Sequence, residues 1–287
     1  MEKMTENANP LHKYFRQPSI YVTLPSGTQY PDTVMQKSQS GEVGIMPMTA
    51  KDEIRFKTPD ALMNGEGVVE VIQSCVPQIK DAWQIHSYDL DTILIAIRIA
   101  TYGETMDIKF NVPVVNESVS HTVNLPAMLE EIKNFNLRTD FTLKDGLKIT
   151  VKPLTYRDMT MAAQQTFQQQ KMYSAIQDSQ LPQEDKVKRF NESFKSLTEL
   201  NASIMLKNIS KVTMQDGTEI SDENHIKEFV ENANANLINE LESKIIEMRS
   251  QGAVKPLKMK ATEDQIKRGV PATYEVPITF DTANFFV

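Results

Sequence analysis

The apolar positions of this chain change period several times, and each change marks an element. Ile20, Val22 and Leu24 alternate with polar neighbours and predict a strand over residues 19–24, closed by the turn signal Pro25, Ser26, Gly27. A second strand is expected over residues 43–48. Val68, Val69, Ile72 and Val76 then follow helical spacing. Ile93, Leu94, Ile97 and Ala100 repeat it in the most apolar helix of the chain, which is apolar almost all round and so belongs at the centre of a core. Asp89 or Asp91 is placed to cap its start, and Gly103 to end it. Alternation returns in two hairpins: residues 105–114 against 118–125 across Asn116 and Glu117, and 139–143 against 148–151 across Asp145 and Gly146.

Helical spacing resumes at Thr155, which with Asp158 opens a helix rich in glutamine (Gln164, Gln165, Gln168, Gln169, Gln170). After Pro182, Val187, Phe190, Phe194, Leu197 and Ile204 recur at three- and four-residue steps, with Asn201 in the remaining slot. This is a coiled-coil-like seam, short enough to indicate a local antiparallel helix pair. A small hairpin around Asp216 and Gly217 follows, then a helix begun by Ser221 with Asn224, then an apolar face of Leu237, Leu241, Ile245 and Met248. Tyr274, Val276 and Ile278 alternate as a strand. The end, with Phe280, Phe285, Phe286 and Val287, is apolar enough to require docking on its own body or on a neighbour. Together the pattern predicts an α+β protein. It has an extended N-terminal arm over residues 1–40 and a mixed helix and hairpin domain over 41–152. A mainly helical region with a small hairpin covers 153–250, and an extended C-terminal tail with a strand covers 251–287.

Composition narrows the function. The chain has 287 residues, 40% of them hydrophobic, and a mean hydropathy of −0.38, which suits a globular protein with generous polar surface. A net charge of −7 weighs against broad nucleic-acid binding, which needs clustered Lys and Arg. The locally basic Lys255, Lys258, Lys260, Lys267 and Arg268 read as a solvated face. The apolar run 93–97 is broken by Arg98 and is too short to span a bilayer, and the first sixteen residues lack the apolar region of a secretion signal. Neither nucleic acid nor membrane is expected as a partner. Cys75 is the only cysteine, so no internal disulfide forms, which fits a reducing cytosol.

Candidate chemistry is sparse. His86, Asp89 and Asp91 lie close together, but their spacing matches no metal pattern, and helix capping accounts for both aspartates. The carboxylate pairs Glu104/Asp107 and Glu130/Glu131 are of a kind common in acidic chains. Cys75 has no histidine near it in sequence and reads as a buried thiol. There is no phosphate-binding loop, dinucleotide fingerprint, nucleophile elbow or zinc-protease motif. The chain is not expected to be an enzyme, and no cofactor or metal is expected.

The most specific string is residues 44–67, a strand, short helix, turn and second helix that contains Pro47, Met48, Thr49, Asp52, Glu53, Pro59, Asp60, Leu62, Asn64 and Gly65. Thr58 is placed to cap a helix opening on Pro59, with Asp60 in its first turn, and Gly65, Glu66 and Gly67 are expected to kink or interrupt it. With residues 14–27 (Tyr14, Phe15, Arg16, Gln17, Pro18 onward) and 89–104 (Asp89, Leu90, Asp91, Thr92 onward), this string resembles the baseplate hub assembly proteins of T-even-type contractile-tailed bacteriophages. The likeness covers roughly residues 14–130. It implies a non-enzymatic, chaperone-like assembly factor for the central hub of the baseplate, working in the cytoplasm of the infected bacterial host. Its partners would be other hub or tape-measure proteins, with self-association as an alternative. A structural subunit retained in the tail baseplate is the second reading, and a cell-wall hydrolase of the tail the third. Partner binding is expected at the ten residues above, at Phe190 and Phe194, and at Phe285 and Phe286. Some relatives carry a Cys-x-x-Cys pair in the first central hairpin. Here Val112 and Val115 stand at those places and cannot ligate zinc.

Overall fold

The computed structural model describes residues 11, 14–27, 30–58, 64–133, 138–178, 182–251 and 254–278. The protein is a mixed α+β molecule, about half helical, with four small antiparallel sheets and nine α-helices among the described residues. Thr58 is described, but the helix expected after it falls on Pro59, Asp60 and Leu62, which lie outside the described residues, as do Phe285 and Phe286.

The N-terminal arm is tied into the body by a sheet. Strand β1 (Ile20–Thr23) pairs antiparallel with β2 (Glu42–Ile45), Ile20 facing Ile45. Helices α1 (Ala50–Phe56) and α2 (Glu66–Cys75) follow, joined across their exposed sides by the Arg55–Glu70 ion pair at 2.8 Å. A single 3-10 turn (Ala82–Gln84) leads into α3 (Ser87–Tyr102). Ile93 and Ile97 on one face of α3 and Ile95 on the opposite face are all fully buried, as its all-round apolar pattern predicts. Around them gather Leu24, Tyr30, Val34 and Met35 of the arm, Ile45 of β2, Val71 and Ile72 of α2, and Leu125 and Ile132 of α4 (Leu125–Lys133). Helix α4 had no separate signal in the sequence.

The hairpin β3 (Thr105–Asn111) and β4 (Ser118–Asn124) forms, but with Asn111 opposite Ser118 it turns through residues 112–117 and not across Asn116 and Glu117 alone. Its connection uses positive φ at Val114 and Asn116, and Val112 is fully buried. Strands β5 (Asp140–Thr142) and β6 (Lys148–Val151) flank a turn in which Gly146 has φ +88°, a left-handed conformation that favours glycine.

A second core lies beyond. β6 pairs with β7 (Ile209–Thr213), which pairs with β8 (Glu219–Ile220), giving a four-stranded sheet. Phe141, Ile149 and Val212 of this sheet pack with Ile226 of α7 (Glu223–Asn232) and with Leu241, Ile245 and Met248 of α8 (Ala235–Gln251). Tyr88 of α3 is buried in this second core, and its hydroxyl donates to the Met248 carbonyl at 2.9 Å. α3 therefore belongs to both cores. The chain closes with β9 (Leu257–Lys260), the short α9 (Glu263–Lys267) and β10 (Thr273–Val276), the two strands pairing antiparallel.

Between the cores rises a helical hairpin of α5 (Tyr156–Asp178) and α6 (Gln183–Asn208), roughly 35 and 39 Å long at about 1.5 Å per residue. Asp158 pairs with Lys207 at its root, and Ser193 Oγ donates to Gln169 Oε1 at 2.7 Å midway, so the two helices run antiparallel as expected.

Two local expectations are corrected, and a third is met only in part by the described residues. Asp89 does not cap α3: the residue before the helix is His86, which makes no side-chain cap bond. Asp89 is buried within the first turn, where it accepts from the Ser26 amide at 3.0 Å and the Tyr30 hydroxyl at 2.5 Å. Its role is to anchor the arm. Gly65, with φ +81°, stands just before α2, and Gly67 lies within it; the helix expected from Pro59, with these glycines kinking or interrupting it, lies outside the described residues. Helix α7 is capped by Asp222, whose carboxylate accepts from the Asn224 and His225 amides, and not by Ser221.

Candidate functional site

The signature residues near the start of α1 form a closed network. Thr49 and Asp52 make a reciprocal capping box: Asp52 Oδ2 accepts from the Thr49 amide at 2.8 Å and hydroxyl at 2.7 Å, while the Asp52 amide donates to Thr49 Oγ1 at 3.3 Å. Into this corner reaches Arg16 of the arm. Its guanidinium donates to Asp52 Oδ2 at 3.1 Å, to the Pro47 carbonyl at 2.8 Å, and to the Ser74 carbonyl and hydroxyl at 2.7 Å each. Burial works to raise the Asp52 carboxyl, but hydrogen bonds from Thr49 and Ser74 and the Arg16 charge together hold it below the usual carboxylate range. Burial, with the Asp52 charge added, pushes the adjacent Cys75 thiol up to about 12, so it stays protonated and unreactive. The Met48 amide donates to Thr101 Oγ1, and Tyr102 Oη donates to Glu53 Oε1, both at 3.0 Å. Pro47, Met48, Thr49, Asp52 and Glu53 thus hold the arm and the end of α3 to α1.

Asn64 and Gly65 sit elsewhere, at the root of the helical hairpin. Asn64 Oδ1 accepts from the Glu66 amide at 3.0 Å. Gly65 is pressed against α5: a Cβ there would lie 3.0 Å from the Thr160 side chain and 3.1 Å from Trp83. Trp83 stacks on Tyr156 at 5.6 Å and carries the Arg157 guanidinium at 5.4 Å. The signature segment therefore ends where the hairpin is fixed to the body.

The hairpin itself is unusual in what it exposes. Val187 is 50% exposed, Phe190 43% and Phe194 64%, and on α5 Met172 is 50% exposed. The predicted seam is therefore corrected in its outer half. Leu197 and Ile204 are half-buried near the root, but farther out the helix turns polar Ser193 inward to Gln169 and leaves Val187, Phe190 and Phe194 outside. Phe190 meets Tyr173 across the pair at 5.5 Å, and Phe167 is covered by the Lys171 ammonium at 4.6 Å. A groove of about 530 Å³ near the tip is lined by Met172 and Ile176 together with Asp185, Lys188, Arg189 and Glu192. An apolar stripe edged by both signs of charge is suited to bind another helix or strand.

A cleft of about 590 Å³ at the root brings Ser203, His86 and Asp158 into one lining. No hydrogen bond joins Ser203 to His86, and Asp158 is engaged by Thr155 and Lys207. Burial and the nearby Lys152 charge hold His86 at about 4, so it is neutral near pH 7 and a weak base. The grouping does not assemble a nucleophile with its base. Among the described residues no group of three or more His, Cys, Asp or Glu side chains could hold a metal ion, and no helix is long and apolar enough to cross a membrane.

Sequence reasoning did not single out Arg16, Ser74 or Tyr30, which do most to fix the arm. The partners of Arg16 lie 31 to 59 residues away, from Pro47 to Cys75, and that of Tyr30 is Asp89, 59 residues away; no local pattern signals such pairings.

No curated protein and no solved structure matches the chain. A family described as T4 bacteriophage base plate protein matches residues 18–267, which takes in both cores, the Thr49–Asp52 corner and the whole helical hairpin. The chain belongs to this T4 bacteriophage baseplate protein family.

Proposed function

We propose that the protein is a non-enzymatic assembly factor for the central hub of the baseplate, and that it holds another hub or tape-measure polypeptide on its helical hairpin. The observation that carries this reading is the exposed row Val187, Phe190 and Phe194 on a helix long enough to leave the body. Large apolar side chains gathered on one protruding face are costly in water, and they mark a surface that another chain covers. Membership of the family supplies the class of partner, namely other phage baseplate proteins. On this reading the Arg16 corner is scaffold: it fixes the arm and α1, while Gly65 and Trp83 set the hairpin on the body.

Quantitative mass spectrometry of gradient-purified hub intermediates and of finished particles from infected cells tests the proposal. An assembly factor is abundant in the intermediates and absent from finished particles. Fixed stoichiometry in finished particles would replace this reading with that of a structural subunit.

A further inference from the structure

A second feature lies beside the root of the hairpin, away from its exposed stripe. A pocket of about 270 Å³ is walled by Tyr88 and Leu90 of α3, Leu154 before α5, and Met159 of α5, with Asp91 and Arg249 also in its lining. Its volume is below the roughly 300–1,000 Å³ of small-molecule sites and suits a single side chain. Asp91 is half-buried, and burial alone accounts for the rise of its carboxyl to about 6. Among the described residues no donor bonds it, and the Arg249 guanidinium does not pair with it. Neighbouring Asp89, in contrast, is fully engaged by Ser26 and Tyr30. The Asp91 oxygens still reach solvent, which leaves the carboxylate open to a donor from another chain.

We propose that this pocket receives the side chain of a lysine or arginine from a partner polypeptide, its aliphatic stem against Leu90, Leu154 and Met159 and its charged head on Asp91. The chemistry is complementary at both ends: apolar walls cover a methylene chain, and the unpaired carboxylate accepts from an ammonium or guanidinium. Arg249 at the same pocket disfavours a second cation and thereby limits affinity. The inference rests on the partner-binding reading only for the source of that side chain, and its test needs no partner.

The test is an NMR titration of the full chain at constant ionic strength, with n-butylammonium as the probe and n-butanol as its uncharged counterpart. The Asp91 carboxyl resonance is identified by its absence in Asp91→Asn. Butylammonium is expected to bind saturably, at least tenfold more tightly than butanol, and to lower the Asp91 titration midpoint. Asp91→Asn should lose the preference for the ammonium, and Arg249→Gln should strengthen binding two- to threefold. Equal binding of the two probes, or retention of the preference in Asp91→Asn, would overturn the inference and leave the hairpin reading untouched.

Discussion

Replacing Arg16 with Met tests whether the arm is held by one side chain. Methionine keeps the length and the apolar stem, so the change isolates the guanidinium. Four of its hydrogen bonds are lost: those to Pro47, Asp52 and both oxygens of Ser74. Asp52, only 2% exposed, loses its counter-charge. Removing one partner of a buried ion pair costs about 3–5 kcal/mol. Two features bring the figure down. The Arg16 side chain is 23% exposed, and Asp52 keeps its bonds from Thr49. The expected loss is therefore about 2–3 kcal/mol. Urea unfolding at pH 7 reads it as a lower midpoint with an unchanged slope. A cycle with Asp52→Asn, which retains an acceptor for Thr49, should show a coupling of about 1–2 kcal/mol between the two sites. Amide exchange over residues 14–24 should accelerate in the variant. A loss below about 0.5 kcal/mol, or strict additivity in the cycle, would refute the clasp.

Gly65→Ala combines a left-handed φ with a Cβ 3.0 Å from Thr160, so it should cost about 1–3 kcal/mol and change the Trp83 fluorescence; an unchanged midpoint would show that Gly65 does not set the hairpin root. Asp91→Asn makes a prediction in pH. The folded carboxyl titrates near 6, above its free range, so the wild type takes up a proton on folding and gains stability as pH falls from 7 to 5. The variant lacks this gain. Its stability advantage over the wild type should therefore shrink by about 1 kcal/mol across that window, and an advantage that grows would contradict the burial of Asp91. His86 acts in the opposite sense, because its folded value near 4 disfavours protonation, so the comparison between variants is more decisive than the wild-type curve. Tyr88→Phe removes the bond to the Met248 carbonyl and should cost about 1–2 kcal/mol by urea unfolding, since α3 would lose its polar tie to the second core.

Local pattern carried much of this architecture. The alternation of Ile20, Val22 and Leu24, the turn at Asp145 and Gly146, the Thr155–Asp158 box and the all-round apolar α3 each depend on neighbours within a few residues, and each forms as its pattern implies. Helices α4 and α9 are short, and neither spans enough turns to establish a period. Asp89 reads as a cap because capping is the common role of an aspartate near a helix start. Its actual donors come from Ser26 and Tyr30, about sixty residues away, where sequence spacing is silent. The face of α6 was misread for a related reason. Heptad spacing identifies an apolar stripe but not what covers it, and here the hairpin packs Ser193 on Gln169 and leaves Val187, Phe194 and much of Phe190 exposed. That mismatch between stripe and seam makes Phe190 and Phe194 candidates for partner binding instead of core.

The most direct measurement is complementation with Phe190→Ser/Phe194→Ser in infected cells deprived of the wild-type chain, read by electron microscopy of tails alongside the unfolding midpoint of the purified variant. Phe194 is mostly in solvent and Phe190 gives up only its contact with Tyr173, so the fold should lose no more than about 1 kcal/mol while assembled baseplates are lost. Normal tails from a folded variant would contradict the claim that this hairpin binds the partner.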